Sequence, residues 1–236
     1  MGDVETVGVV GAGLMGSGIA LNFALAGHRT IICDLGEDAL AGAGKRIDGA
    51  LAMFVEEGLT ASADADAAVA RIISTTDLDD LARRSDFITE AIVERLEDKQ
   101  RLFRHLDKAC PPHTVIVTNT SSLKLSDIGI GVRRQERLGL THYFVPPHIV
   151  PGVEIAKGPG TSDETFQLLY DLMKAVGKVP IRVLKERPGY LINTINDALA
   201  WEAGRLWAEG VASAEDIELG IRSTMGFRMP YYGPFG

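Results

Sequence analysis

With 236 residues, 46% of them hydrophobic, the chain has room for one large domain or for a large and a small one. No apolar run approaches the ~20 residues of a membrane-spanning helix, so no membrane partner is expected. The net charge of −8, with no clustered basic stripe to offset it, opposes a polyanion, and nucleic acid is not an expected partner either.

The start, MGDVETVGVV, is acidic and runs straight into an apolar segment, without the basic leader of a secretion signal. A cytoplasmic location is the expectation. The Met-Gly opening meets a loose myristoylation pattern, too short to carry weight next to a strand that begins at Thr6. TVGVV reads as that strand and MGSGIALNFALAG as a helix, with Gly11, Gly13 and Gly16 at the join. Between a strand and a helix, GxGxxG has a mechanical meaning. Gly11 permits a tight turn, Gly13 lets the backbone approach a pyrophosphate, and Gly16 allows helix and strand to pack closely. Leu14 and Met15 complete the cofactor-binding turn, and the helix N-terminus offers free N–H groups to phosphates.

RTIIC is the next strand, and Asp34 at its end suits hydrogen bonds from adenosine ribose hydroxyls. Leu35, Gly36 and Glu37 follow, with no arginine for a 2′-phosphate. NAD is therefore the expected cofactor, although a flavin would fit the same turn. Beyond it, EDALAGAGKRIDGALAMFVEEG, EDKQRLFRHLDKAC and DETFQLLYDLMKAVG have helical spacing, and TASADADAAVA reads as a helix or its lead-in. DFITEAI, TVIVT and RLGLTHYF read as strands, several of them apolar on both faces. This alternation predicts an α/β fold, a Rossmann-type doubly wound, mostly parallel sheet covered on both sides.

After LKERPG the pattern turns to helix only. YLINTINDALAWEAGRLWAEG carries an apolar stripe at Ile192, Ile195, Leu199, Ala203 and Leu206 that calls for a partner surface, and SAED at Ser213 opens another helix as a capping box. The expected organisation is an NAD-binding domain over 1–184 and a short helical domain over 185–236 for substrate and dimerisation. Cys33 and Cys110 lie far apart and read as reduced core thiols, and no metal ligands occur at useful spacing.

Oxidising an alcohol by hydride transfer needs a base that titrates near neutrality, which suits histidine. His28, His105 and His113 fall beside turns or among charges and read as solvated. The stretch THYFVPPHIVPGVEI holds the other two, His142 and His148.

Five stretches, GVVGAGLMGSGIA, EAIVERLEDKQRLFRHLD, TNTSSL, THYF followed by VEIA, and ERPGYLIN, occur in one order across nearly the whole chain. In these the sequence resembles the L-3-hydroxyacyl-CoA dehydrogenase family. The resemblance implies that His142 is the base and that Glu154 orients it and stabilises its protonated form. It implies Ser121 against the substrate hydroxyl and nicotinamide, and Asn193 beside the substrate carbonyl. Asn119, Glu94 and Lys99 would hold the nicotinamide ribose and neighbouring cofactor groups. The implied reaction is reversible oxidation of a 3-hydroxyl to a 3-ketone, in a homodimer built through the C-terminal helices where these are complete. Plainer roles compete with each assignment: a core histidine, a turn closed by Asn119 and Ser121, a helix cap at Asn193, and a solvated face at Glu94 and Lys99.

Three departures bear on the substrate. Val145 stands where the family's commonest pattern has asparagine. The segment PPHIVPGVE is more similar to the branch that includes L-gulonate 3-dehydrogenase and carnitine dehydrogenase, which act on small hydroxy acids. Glu56 and Glu57 occupy the end of the second helix, where CoA-using members carry lysines. A free hydroxy acid is thus the alternative to a hydroxyacyl-CoA substrate. His148 could meet such an acid's carboxylate, with simple surface exposure the blander expectation. Family members also continue beyond a motif like MGFRMPYYGPFG, so the helical domain is expected to be incomplete, in a fragment or a shortened member. Among rivals, Tyr170 and Lys174 have short-chain dehydrogenase spacing but lie in an ordinary amphipathic helix, and no lysine between Gly189 and Gly236 could serve a lysine-based dehydrogenase. A non-catalytic NAD-binding structural or regulatory protein is the rival of a different class.

Overall fold

The structure, a computed structural model, describes residues 4–235; the Met-Gly start of the myristoylation pattern lies outside them. The chain divides into two compact units after Tyr190. The first contains eight strands in one sheet: β1 (Thr6–Val10), β2 (Arg29–Cys33), β3 (Ile72–Thr75), β4 (Phe87–Glu90), β5 (Val115–Thr118), β6 (Leu138–Tyr143), β7 (Gly152–Ala156) and β8 (Val179–Val183). Their order is β3-β2-β1-β4-β5-β6-β7-β8. The first six run parallel, β7 pairs antiparallel with β6, and β8 pairs parallel with β7. Strand order therefore reverses between β1 and β4, and in such a sheet dinucleotides bind at the carboxyl ends of the strands around that reversal.

Both faces of the central strands are buried, which explains the near-continuous apolar runs. On one face Val7, Val9, Val115 and Val117 pack under α1 (Leu14–Leu25) and the later helix Asp163–Ala175 through Ile19, Phe23, Leu169 and Met173. On the other, Val10, Ile88 and Ile116 meet Leu81, Phe103 and Leu106. Between β2 and β3 the chain forms α2 (Glu37–Glu56) and α3 (Ser62–Ala70); α4 (Leu78–Arg84) and α5 (Leu96–Ala109) flank β4, α6 (Leu125–Ile128) follows β5, and the helix Asp163–Ala175 between β7 and β8 is α7. Alanine-rich TASADADAAVA is indeed mostly helix.

Three strands escaped the sequence pattern, each for a visible reason. β3 is a half-exposed edge strand of four residues. β7 carries a glutamate at its centre, and β8 contains Pro180 and Arg182, tolerable because it is the far edge of the sheet. DFITEAI proves shorter than expected, forming a strand over Phe87–Glu90 alone.

In the second unit, α8 (Ile192–Ala208) and α9 (Ala214–Gly220) form where helices were expected, and Ser213 Oγ accepts from the Asp216 N–H at 3.0 Å as a cap. The α8 stripe is less covered than expected: Ile195 is exposed and Ile192, Leu199, Ala203 and Leu206 are only half-buried. No helix among the described residues is long and apolar enough to cross a membrane.

Candidate active site

The glycine turn connects β1 to α1 as the pattern requires. Gly11 has φ +106°, and a Cβ there would lie 2.4 Å from the Ala91 carbonyl oxygen; at Gly16 it would lie 1.7 Å from the Gly11 carbonyl oxygen. Neither position admits a side chain. Around Gly13 the space is open, and Gly13 and Leu14 are exposed while Met15 is half-buried. Such a cradle fits the pyrophosphate of a dinucleotide. Asp34, just past β2, accepts from the Ala12 N–H at 2.6 Å and the Leu35 N–H at 2.7 Å, so its carboxylate borders the turn.

One contributor is invisible in the motif. Arg46, on α2, donates to the Ala12 carbonyl at 2.5 Å and to Ser17 Oγ at 3.1 Å. Folding α2 against α1 thus brings a guanidinium to the phosphate turn, from a position the ribose-binding pattern does not cover.

Across the strand-order reversal, a buried network underlies the ends of β4 and β5. Glu90 is fully buried, and its carboxylate receives Lys99 Nζ at 2.5 Å, Thr118 Oγ1 at 2.7 Å and the Ile92 N–H at 2.8 Å. Burial pushes its carboxyl up, but all three partners donate, and Thr118 Oγ1 already accepts from the Thr120 N–H. That geometry calls for an ionised Glu90. Lys99, 1% exposed, also reaches Glu94 Oε2 at 3.1 Å.

Glu94 in turn accepts from Thr120 Oγ1, Ser122 Oγ and the N–H groups of Ser121 and Ser122. Burial acts to raise the Glu94 carboxyl, yet bonds from Thr120 and Ser122 and the Lys99 charge hold it below the usual carboxylate range. Glu94 therefore shapes the turn that displays Ser121, which is exposed. Asn119 accepts the Tyr143 N–H at 2.9 Å through Oδ1, tying the end of β5 to the end of β6. Lys99 is not part of a solvated face, and Glu90 is a participant the sequence reading missed. Its local signal was a carboxylate closing a fully buried strand.

His142 and Glu154 are a directly opposed pair on antiparallel β6 and β7. Opposed residues put their side chains on one face a few ångströms apart. His142 Nδ1 lies 2.7 Å from Glu154 Oε2, with His142 4% exposed and Glu154 fully buried. An ionised carboxylate only accepts, so Nδ1 carries the hydrogen and Nε2 is the basic nitrogen. Such an imidazole can accept a proton at Nε2 while Glu154 stabilises the cation.

The other histidines differ. His105 and His113 are exposed beside Asp79 and Asp86, as expected. His28 is instead half-buried, bonded to the Val4 carbonyl at 3.0 Å and set edge-on to Phe23. His148 is also half-buried: its Nδ1 is enclosed without a hydrogen-bond partner against Gly18, and burial, followed by the nearby Lys178 charge, lowers its pKa. It borders a cleft of about 250 Å³ with Leu14, Ser17, Arg46, Ala50 and Met53. Val145 is 61% exposed. Cys33 and Cys110 are buried free thiols, pushed by burial up to about 11 and about 12. Asn193 lies in the first turn of α8, in the second unit. The described residues contain no cluster of histidine, cysteine and acidic side chains able to hold a metal.

A family model described as 3-hydroxyacyl-CoA dehydrogenase, NAD binding domain, matches residues 6–187. The chain is 38% identical to human mitochondrial hydroxyacyl-coenzyme A dehydrogenase over 98% of its own length and 74% of that protein. The crystal structure of 3-hydroxybutyryl-CoA dehydrogenase from Escherichia coli superposes with a TM-score of 0.90 at 35% identity, over 93% of this chain and 46% of that one. An NAD⁺-dependent 5-formyl-3-hydroxy-2-methylpyridine 4-carboxylic acid 5-dehydrogenase is also similar, with a TM-score of 0.90 at 26% identity over 99% of this chain and 74% of that one.

Proposed function

The chain belongs to the 3-hydroxyacyl-CoA dehydrogenase family, an NAD-dependent oxidoreductase acting on a CH–OH group, and on that premise we propose that His142, held by Glu154, is its general base. NAD, when bound, supplies the hydride acceptor. This chain's residues do the rest: Gly11, Gly13, Leu14, Met15, Gly16 and Asp34 hold the dinucleotide, with Arg46 beside the turn. Asn119, Glu94 and Lys99 shape the nicotinamide end. His142 Nε2 takes the 3-hydroxyl proton as the 3-ketone forms, Glu154 stabilises the imidazolium, Ser121 contacts the hydroxyl, and Asn193 positions the substrate carbonyl.

The observation that carries this reading is the 2.7 Å contact between two buried side chains, His142 near the carboxyl end of β6 and Glu154 opposite it on β7. The test is His142→Ala. General-base catalysis is worth roughly 10²–10⁴ in rate, so turnover should fall by that factor while NAD affinity, measured by calorimetry, is unchanged. Turnover near the parent's would overturn the assignment.

A hydroxyacyl-CoA is the substrate class suggested by the relatives. A free hydroxy acid is the second reading, favoured by Glu56 and Glu57 at the end of α2, where no basic residue stands in the last turn. NADH formation from 3-hydroxybutyryl-CoA against 3-hydroxybutyrate, gulonate and carnitine separates the two. A cytoplasmic location and a homodimer through the C-terminal helices complete the proposal; fractionation and light scattering test them, since a relative is mitochondrial by name. The division of labour is likewise proposed: cofactor binding over 1–184, substrate and dimer contacts over 185–236.

A further inference from the structure

Tyr190 has a left-handed backbone, φ +45°, immediately after Gly189 at φ +75°. Among the described residues it is the non-glycine with positive φ, a conformation that costs an ordinary side chain about 1–2 kcal/mol. Glycine would relieve that strain. Yet the tyrosine side chain is completely buried, clustered with Leu140, Ala156 and Val183, and its hydroxyl donates to the Leu123 carbonyl at 2.6 Å.

Its ring lies 6.1 Å from the His142 imidazole with the planes inclined by 35°, and the Phe144 ring approaches the same imidazole at 4.6 Å and 56°. Two aromatic rings therefore attend the imidazole whose Nδ1 is bound by Glu154. Aromatic rings attract a cation placed over their faces within ~6 Å of the ring centre, a distance that Phe144 meets and Tyr190 reaches at its limit. A neutral imidazole gains little from them and an imidazolium gains more. Burial first, then the carboxylates of Glu186, Glu94 and Glu154, hold the Tyr190 phenol above its usual range. Its proton accordingly stays on the bond to Leu123, and the phenol does not compete as base. That bond also fastens the ring to the turn that displays Ser121.

We propose that Tyr190, together with Phe144, is a positioning residue for the reaction: the two rings fix the His142 imidazole and favour it in the cationic form reached when the substrate hydroxyl proton moves to Nε2. The inference rests on the reading of His142 as base. The backbone strain at Tyr190 is then retained because the ring is needed where glycine would otherwise serve.

The test uses the full chain with NAD and 3-hydroxybutyryl-CoA, or 3-hydroxybutyrate if only the free acid turns over. Tyr190→Leu should lower kcat by ~3–30-fold, with NAD affinity and substrate KM within ~2-fold of the parent. The isotope effect from deuterium at the substrate's C3 should rise as the chemical step becomes more limiting. Tyr190→Phe keeps the ring and should restore kcat to within ~2-fold. Phe144→Leu, the second variant in case Tyr190→Leu folds poorly, should show the same kcat-selective loss. Parent-like kcat in both leucine variants, or Tyr190→Phe as slow as Tyr190→Leu, overturns the proposal; the latter would assign the role to the hydroxyl. Failure here with an inactive His142→Ala sinks only the aromatic clamp, whereas an active His142→Ala sinks the base reading as well.

Discussion

Lys99 on α5 places its ammonium 2.5 Å from Glu90 and 3.1 Å from Glu94, whereas Lys178, just before β8, donates to the carbonyls of Pro147 at 2.6 Å and Val150 at 2.9 Å, with no carboxylate paired to it among the described residues. Both are buried, 1% and 8% exposed. Under β4 and β5, ions compensate ions, and the result holds the Asn119–Ser122 turn. At the β7–β8 edge a lone cation staples the 145–151 loop through dipoles, assisted by Asn22 Nδ2 on the same Pro147 carbonyl at 2.7 Å. Dipoles compensate a charge less completely, and burial lowers the Lys178 pKa to about 8. The Asn119–Ser122 turn is therefore held by charge pairing, while the loop that starts at Val145 hangs on a titratable staple.

The contrast breaks most visibly at Lys99. Lys99→Met leaves Glu90 buried without its cation, and should cost ~3–5 kcal/mol in chemical denaturation. Adding Glu90→Gln should return much of it; a single variant as stable as the parent would mean that Glu90 is held by dipoles as Lys178 is. Glu154→Gln extends the same logic to His142. One charged hydrogen bond is worth ~1.5–3 kcal/mol, so kcat should drop roughly 10–100-fold with NAD affinity unchanged. A drop under ~3-fold would reduce Glu154 to a packing partner.

Lys178 supplies the pH signature. Its folded value, about 8, lies below the unfolded 10.5, so between these values the unfolded chain binds more protons and stability rises with pH. Relative to Lys178→Met, which lacks this titration, the parent should gain about 2–3 kcal/mol as pH rises from about 8 to 10.5. A constant difference across that window would contradict the staple's titration. The smallest effect is expected at Val145→Asn. One added hydrogen bond is worth ~0.5–1.5 kcal/mol, a roughly two- to tenfold change in kcat/KM that should favour CoA substrates over free acids. An unchanged preference would remove Val145 from substrate selection.

Much of the nucleotide half was legible in the sequence because its function is carried by local backbone. A glycine turn is constrained by residues adjacent in the chain, so Gly11 and Gly16 announce it. The His142–Glu154 pair was named through family resemblance, and antiparallel β7, which sets the two opposite one another, was missed because a central glutamate disguises the strand. His148 was misplaced as surface, since its burial depends on Gly18 of α1, far away in sequence.

By itself the sequence determined the alternating sheet and helices, the phosphate turn with Asp34, and the residues His142 and Glu154 as a pair to examine, because period, glycine placement and motif order are properties of neighbours along the chain. Only the tertiary structure decided that Lys99 is spent between Glu90 and Glu94, that Arg46 reaches the phosphate turn, and that Tyr190 and Phe144 flank the imidazole. Those contacts join distant segments, and their energies depend on burial, which no local pattern records.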